Sequence, residues 1–134
     1  MNSYQAVEVK SSQKIEFVDI TPQVREFVRA AKCREGMLLV FSPHTTAAVT
    51  INENADPSVK ADILMVLNKI ISDREPYRHQ EGNSPAHVKA SVIGPHLTVL
   101  VSQGRLVLGT WQGIFFCEFD GPRSRRLHVK VVAG

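Results

Sequence analysis

The sequence predicts an α+β domain, a mixed, largely antiparallel and curled sheet with helices packed on it. Three observations predict it. Many short apolar or alternating runs read as strands, and helical stretches interrupt them. The elements follow the order ββαββααββββ. The chain has 134 residues and is 43% hydrophobic, enough for one real core, without internal repeat, low-complexity tract or linker. A single domain therefore spans 1–134.

Tyr4 to Lys10 and Lys14 to Ile20 alternate as strands around the polar Lys10-Ser11-Ser12-Gln13, which predicts a hairpin. Thr21-Pro22 opens a first helix, whose Val24, Phe27, Val28 and Ala31 form one apolar stripe, with Gly36 at its exit. Met37 to Phe41 is a strand ended by Ser42-Pro43, which delivers His44 into a turn. Ala47 to Ile51 is the next strand, emptying into Asn52-Glu53-Asn54-Ala55-Asp56. Asp56-Pro57 reads as N-cap and first turn of a second helix running to about Ile71. Val59, Ile63, Val66, Leu67 and Ile70 are its expected core face. Leu64, Met65 and Ile71 make it apolar nearly all round, as in a subunit interface.

A polar loop from Ser72 to Asn83 follows, and Ser84-Pro85 opens a short third helix that Gly94-Pro95 stops. His87 lies in its first turn. Four further strands are expected at His96 to Ser102, Arg105 to Leu108, Ile114 to Phe119 and Arg126 to Val132. Gln103-Gly104, Gly109-Thr110-Trp111-Gln112-Gly113 and Asp120-Gly121-Pro122 turn between them.

Composition excludes several classes. A formal charge of +3 is mildly basic and suits small anions as well as polynucleotides. No run is long and apolar enough to span a bilayer, and the N-terminus shows no leader pattern. Cys33 and Cys117 are far apart, so a disulfide framework is not expected and a cytoplasmic setting is. P-loop, GxGxxG, GxSxG and RNA-binding strand motifs are missing, so neither nucleic acid nor membrane is an expected partner.

Chemistry concentrates in a few places. His44, His79 and His87 all fall in turns or caps, and three imidazoles with an open position can hold a metal ion. The spacing equally allows three separate surface histidines. Glu53 is the better acidic candidate, because Asp56 already serves as an N-cap. Asn52 stabilises the turn or binds a ligand. Asn83 beside a helix start, with Lys89 one turn in, suits a phosphate or carboxylate, or is a plain cap. Thr110, Trp111 and Gln112 sit between two glycines, where an indole can stack on a ring or fill a hairpin core. Arg123, Arg125 and Arg126 form a basic cluster that grips phosphate or solubilises a strand start.

With these residues in view the chain resembles the YjbQ family, UPF0047, to which a secondary thiamine-phosphate synthase activity is attributed. The resemblance is carried by His44-Thr45-Thr46-Ala47-Ala48, Asn52-Glu53-Asn54, Asp56-Pro57, Tyr77, His79 and Glu81-Gly82-Asn83. It continues through Ala86-His87-Val88-Lys89-Ala90-Ser91, Gly109-Thr110-Trp111-Gln112-Gly113-Ile114 and Ser124-Arg125-Arg126. It implies a homotrimer with sites at subunit interfaces and a metal on His44, His79 and His87. Three imidazoles suit zinc better than magnesium. The implied reaction joins a pyrimidine-methyl diphosphate to a thiazole-ethyl phosphate, giving thiamine phosphate and pyrophosphate. Lys89 and Arg126 would then neutralise the leaving group, and Trp111 would stack on a ring. The competing expectations are a metal-dependent hydrolase of a small phosphorylated or amide metabolite, with Glu53 as base, and a non-catalytic trimeric anion-binding module.

Overall fold

In the computed structural model residues 3–134 are described; Met1 and Asn2, part of the stretch read above as lacking a leader, lie outside them. The elements follow the expected order: β1 (Tyr4–Lys10), β2 (Glu16–Asp19), α1 (Thr21–Ala31), β3 (Gly36–Phe41), β4 (Ala47–Glu53), α2 (Pro57–Ile70) and α3 (Ser84–Ile93). Then come β5 (His96–Ser102), β6 (Arg105–Leu106), β7 (Gln112–Glu118) and β8 (Ser124–Ala133). The α+β class is as expected. The strands form two sheets, β1-β8-β3-β5-β6 and β2-β7-β4, and every pairing is antiparallel.

The sheets stack because each strand of the large one buries alternate residues. Val7, Val9, Leu38, Val40, Val99, Leu127, Val129 and Val131 point inward, where they meet α1 and the small-sheet residues Val49, Ile114 and Phe116. The opposite face of the small sheet, with Phe17, Ala48, Phe115 and Cys117, packs on Leu67 and Ile71 at the end of α2 and on Ala86 and Ala90 of α3. β7 lies between the two cores, so from Gly113 to Glu118 it is buried without alternation.

Two expectations are corrected. β1 and β2 do not form a hairpin: β1 pairs with β8, β2 with β7. Ser11, expected in the hairpin turn, is where the chain crosses between sheets; its buried hydroxyl donates to Glu118 Oε1 at 2.7 Å. In α2 only Leu67 is buried, while Val66 and Ile70 of the expected core face are exposed, as is Met65. The helix rests on the small sheet by one narrow edge. Ile63 and Leu64 also pack partly against the core there, whereas Met65, Val66 and Ile70 stay exposed in the single chain.

β3 to β4 and β7 to β8 are also passages between the sheets. These two and the Ser11 corner meet at one end of the stack, which places His44, Asp120 and Arg123 together. Gly121 is required there, because a Cβ on it would stand 2.4 Å from the Gln13 carbonyl oxygen and 2.7 Å from Ser11 Oγ.

Candidate functional site

At that end lies a polar cavity of about 730 Å³, lined by His44, Thr45 and Thr46 from the β3–β4 passage and by Asp120, Arg123 and Arg125 from the β7–β8 passage. His79, Glu81, Asn83 and His87 close it from the 72–83 loop and the start of α3. Three separate segments therefore bring His44, His79 and His87 to one space, together with Asn83.

His79 and His87 form an edge-to-face pair with ring centroids 5.3 Å apart. His79 Nε2 is 3.8 Å from Glu81 Oε2. His44 stands apart, its ring edge-on to Phe116 and its Nε2 at 3.0 Å from both the amide nitrogen and the carbonyl oxygen of Arg126. Partial burial depresses its pKa below the ordinary value. The charges of Arg125 and Arg123 press the same way, against the Arg126 carbonyl and Glu118. His44 is therefore held neutral. Asn83 precedes α3, and its amide donates to Asp120 Oδ2 at 3.0 Å. Its Oδ1 is buried without a partner, the only such side-chain atom among the described residues.

Beneath His44 the guanidinium of Arg125 is paired side-on with Glu118; the two side chains are 3% and 0% exposed. Arg125 Nε donates to Glu118 Oε1 at 2.9 Å, and Nη2 reaches Glu118 Oε2 and Thr46 Oγ1. Ser11 Oγ and the Asp120 amide complete the carboxylate's hydrogen bonds. Burial alone would raise the Glu118 pKa, but the hydrogen bonds from Arg125, Ser11 and Asp120 outweigh it and hold it low.

Several residues singled out from the sequence lie elsewhere. Glu53 and Asn52 end β4, roughly 20 Å along the strand from Ala47 beside the cavity. Glu53 borders a small groove with Asp19, Asn54 and Lys60. Thr110, Trp111 and Gln112 sit at that same far end, where Glu53 opposes Gln112 and Asn54 N–H donates to the Trp111 carbonyl. Lys89 is 2% exposed and donates to Asn68 Oδ1 at 2.6 Å, so it faces α2 rather than the cavity. Burial lowers its pKa, and Lys14 adds to this while Asp73 opposes it. Arg126 points outward beside Glu8. In its place Arg125, named in the sequence only as one of a cluster, reaches the cavity. The signal was present: Arg125 shares the inward parity of Leu127, Val129 and Val131.

The three histidines do not fit a ready-made metal site. Among the described residues no group of three or more His, Cys, Asp or Glu side chains is close enough to hold an ion. His79 and His87 form a pair, while His44 stands apart with its Nε2 bonded to the Arg126 backbone. Cys33 and Cys117 are free and buried, and burial pushes the Cys117 thiol pKa far up, which disfavours Cys117 as a nucleophile.

The family description "UPF0047 protein YjbQ-like" matches residues 5–134. The chain belongs to the YjbQ family. It is 47% identical over 125 residues to a UPF0047 protein of Methanocaldococcus jannaschii, covering 93% of this chain and 91% of that one. It is 46% identical to the UPF0047 protein YugU of Bacillus subtilis, covering 94% and 96%. A crystal structure of an uncharacterized YjbQ/UPF0047 family protein from Clostridium acetobutylicum superposes with a TM-score of 0.94 at 48% identity, over 96% of this chain and 99% of that one. A YbjQ-like protein of unknown function from Sulfolobus solfataricus gives 0.94 at 33%, over 98% and 96%. This YjbQ-family chain has no helix, among its described residues, long and apolar enough to cross a membrane.

Proposed function

We propose that this YjbQ-family protein is a cytoplasmic enzyme that binds a small phosphorylated molecule in the histidine cavity. Its reaction is of the thiamine-phosphate synthase type. The supporting observation is that three histidines distant in sequence converge with two arginines on one polar space. In this reaction the methylene C–O bond of a pyrimidine-methyl diphosphate breaks and its electron pair leaves with pyrophosphate. The ring nitrogen of a thiazole-ethyl phosphate forms the new C–N bond with its own lone pair. No proton is removed in the displacement, so the reaction does not need a carboxylate base beside the histidines. Donors that meet the growing charge on the leaving oxygen are what it needs. Within one chain Glu53 borders a different groove, so a hydrolase with Glu53 as base would need that residue from a neighbouring chain. The divalent ion that the resemblance implies, zinc or magnesium, has no complete ligand set within one chain among the described residues, and no step of this reaction is routed through it.

The protein acts as a homotrimer in this reading. Exposed Met65, Val66 and Ile70 on α2, with Val88 and Val92 on α3, supply an apolar contact surface. The Trp111 turn, 62% exposed and remote from its own cavity, would approach a neighbour's. Neither nucleic acid nor membrane takes part.

The test supplies purified protein with both heterocycles, together and singly, and follows thiamine phosphate by mass spectrometry. Product is expected only with both, and its loss with His87→Ala. Turnover of one compound alone would establish a hydrolase, and binding without turnover an anion-binding module.

A further inference from the structure

We propose that Arg125, through Nη1, is the residue that reads the phosphoryl group of the cavity's ligand. The inference rests on the cavity being a phosphate-ligand site and adds which side chain makes it one. Arg125 is 5% exposed yet borders the cavity. Its other two nitrogens are spent: Nε and Nη2 on the Glu118 carboxylate, and Nη2 also on Thr46. Nη1, with two N–H donors, takes part in none of these bonds. A guanidinium has donors only and stays charged at any working pH, so the group that fits Nη1 is an oxyanion.

The surroundings explain why the burial is worth keeping. Glu118 grips one edge of the guanidinium plane and is itself fixed by Ser11 and the Asp120 amide. That fixes the direction of the remaining donors before any ligand arrives, so little side-chain entropy is lost on binding. The other arginines lack this. Arg123 is half exposed and tied to Asp120 at 3.2 Å, and Arg126 lies on the outer face. Because Glu118 cancels the Arg125 charge, attraction comes from aimed hydrogen bonds more than from net charge. Selectivity for a phosphoryl oxygen over chloride follows.

Inorganic pyrophosphate is the probe. In protein carrying ¹⁵N-labelled arginine, the Arg125 Nη signals are expected to move on titration, while Arg25 and Arg105 on the far side stay still. Arg125→Lys, which keeps a cation for Glu118 but loses the fork, is expected to weaken pyrophosphate binding by about tenfold or more by calorimetry. A far-ultraviolet melt of that variant checks its fold. If Arg125→Lys is unfolded, the wild-type titration decides alone. Pyrophosphate that binds with the Arg125 signals unmoved overturns the inference and leaves the proposed reaction standing. Binding at Arg125 in a protein that never forms thiamine phosphate supports the inference and overturns the reaction. No binding at all overturns the inference.

Discussion

His44 Nε2 stands 3.0 Å from the amide nitrogen of Arg126 and 3.0 Å from its carbonyl oxygen. With hydrogen on Nε2 the ring donates to the carbonyl and leaves the Nδ1 lone pair free. With hydrogen on Nδ1, Nε2 accepts from the amide. Both neutral tautomers are satisfied by the same backbone residue, whereas the cation can use only the carbonyl.

His44 is accordingly expected to titrate below 6.5, its ordinary value, since burial and the charges of Arg125 and Arg123 disfavour the cation. Between the depressed folded value and 6.5 the unfolded chain binds more protons than the native one. Stability therefore falls as the pH drops through that window and is fully present above it. Imidazole ¹⁵N spectra across pH 4.5 to 8 check this. A His44 midpoint above 6.5 would contradict it.

Burial makes the Glu118–Arg125 pair the costliest polar contact to break. Glu118→Ala or Arg125→Met alone leaves a buried charge unpaired, with an expected loss of about 3–5 kcal/mol in urea unfolding. The double variant should recover a good part of it. The lowered Glu118 pKa adds an acid limb: its contribution is present above about 4.5 and lost as pH falls through the lower folded value. A loss in the double variant equal to the sum of the two single losses would show that the two side chains act independently.

Much of this fold could be read from one-dimensional pattern, and the reason is local. Pro57, Pro85 and the Val24–Phe27–Val28–Ala31 stripe mark their helices by chemistry that needs no partner. Which strand pairs with which could not be read, because Ser11 looks the same in a hairpin turn and in a corner between sheets. The site divides the same way. His44, His79 and His87 stand at element ends, where side chains gather. Glu53 and Trp111 stand at ends too, but at the opposite edge of the small sheet, and β4's direction decides that only once its partner is known. Arg125 was hidden for a different reason: a charged residue on an inward strand face goes against the expectation that arginine is solvated.

Lys89 is expected to be structural. Its ammonium is buried against Asn68, with desolvation lowering its pKa. Lys89→Met keeps the stem's volume and removes the buried charge, so the melting temperature should change by no more than a few degrees, and Asn68→Leu should couple to it. Pyrophosphate binding should stay within about twofold of wild type, well short of the loss expected for Arg125→Lys. A tenfold loss with Lys89→Met would return Lys89 to the site.

Assembly is tested by the surface of α2 and α3. Ile70 is 67% and Val92 62% exposed in the single chain, a large apolar area to leave in water. Each such side chain, once covered, contributes about 1.5–3 kcal/mol per copy. In the homotrimer reading, light scattering on the eluting protein should give three chains, and Ile70→Asp with Val92→Asp should give one. Trp111, the single tryptophan, supplies a second readout. Its exposed indole should emit at shorter wavelength in the trimer than in the double variant, because only a neighbour can bury it. A wild-type protein that elutes as a monomer with fully exposed tryptophan emission would remove both the trimer and the neighbour's approach to the histidine cavity.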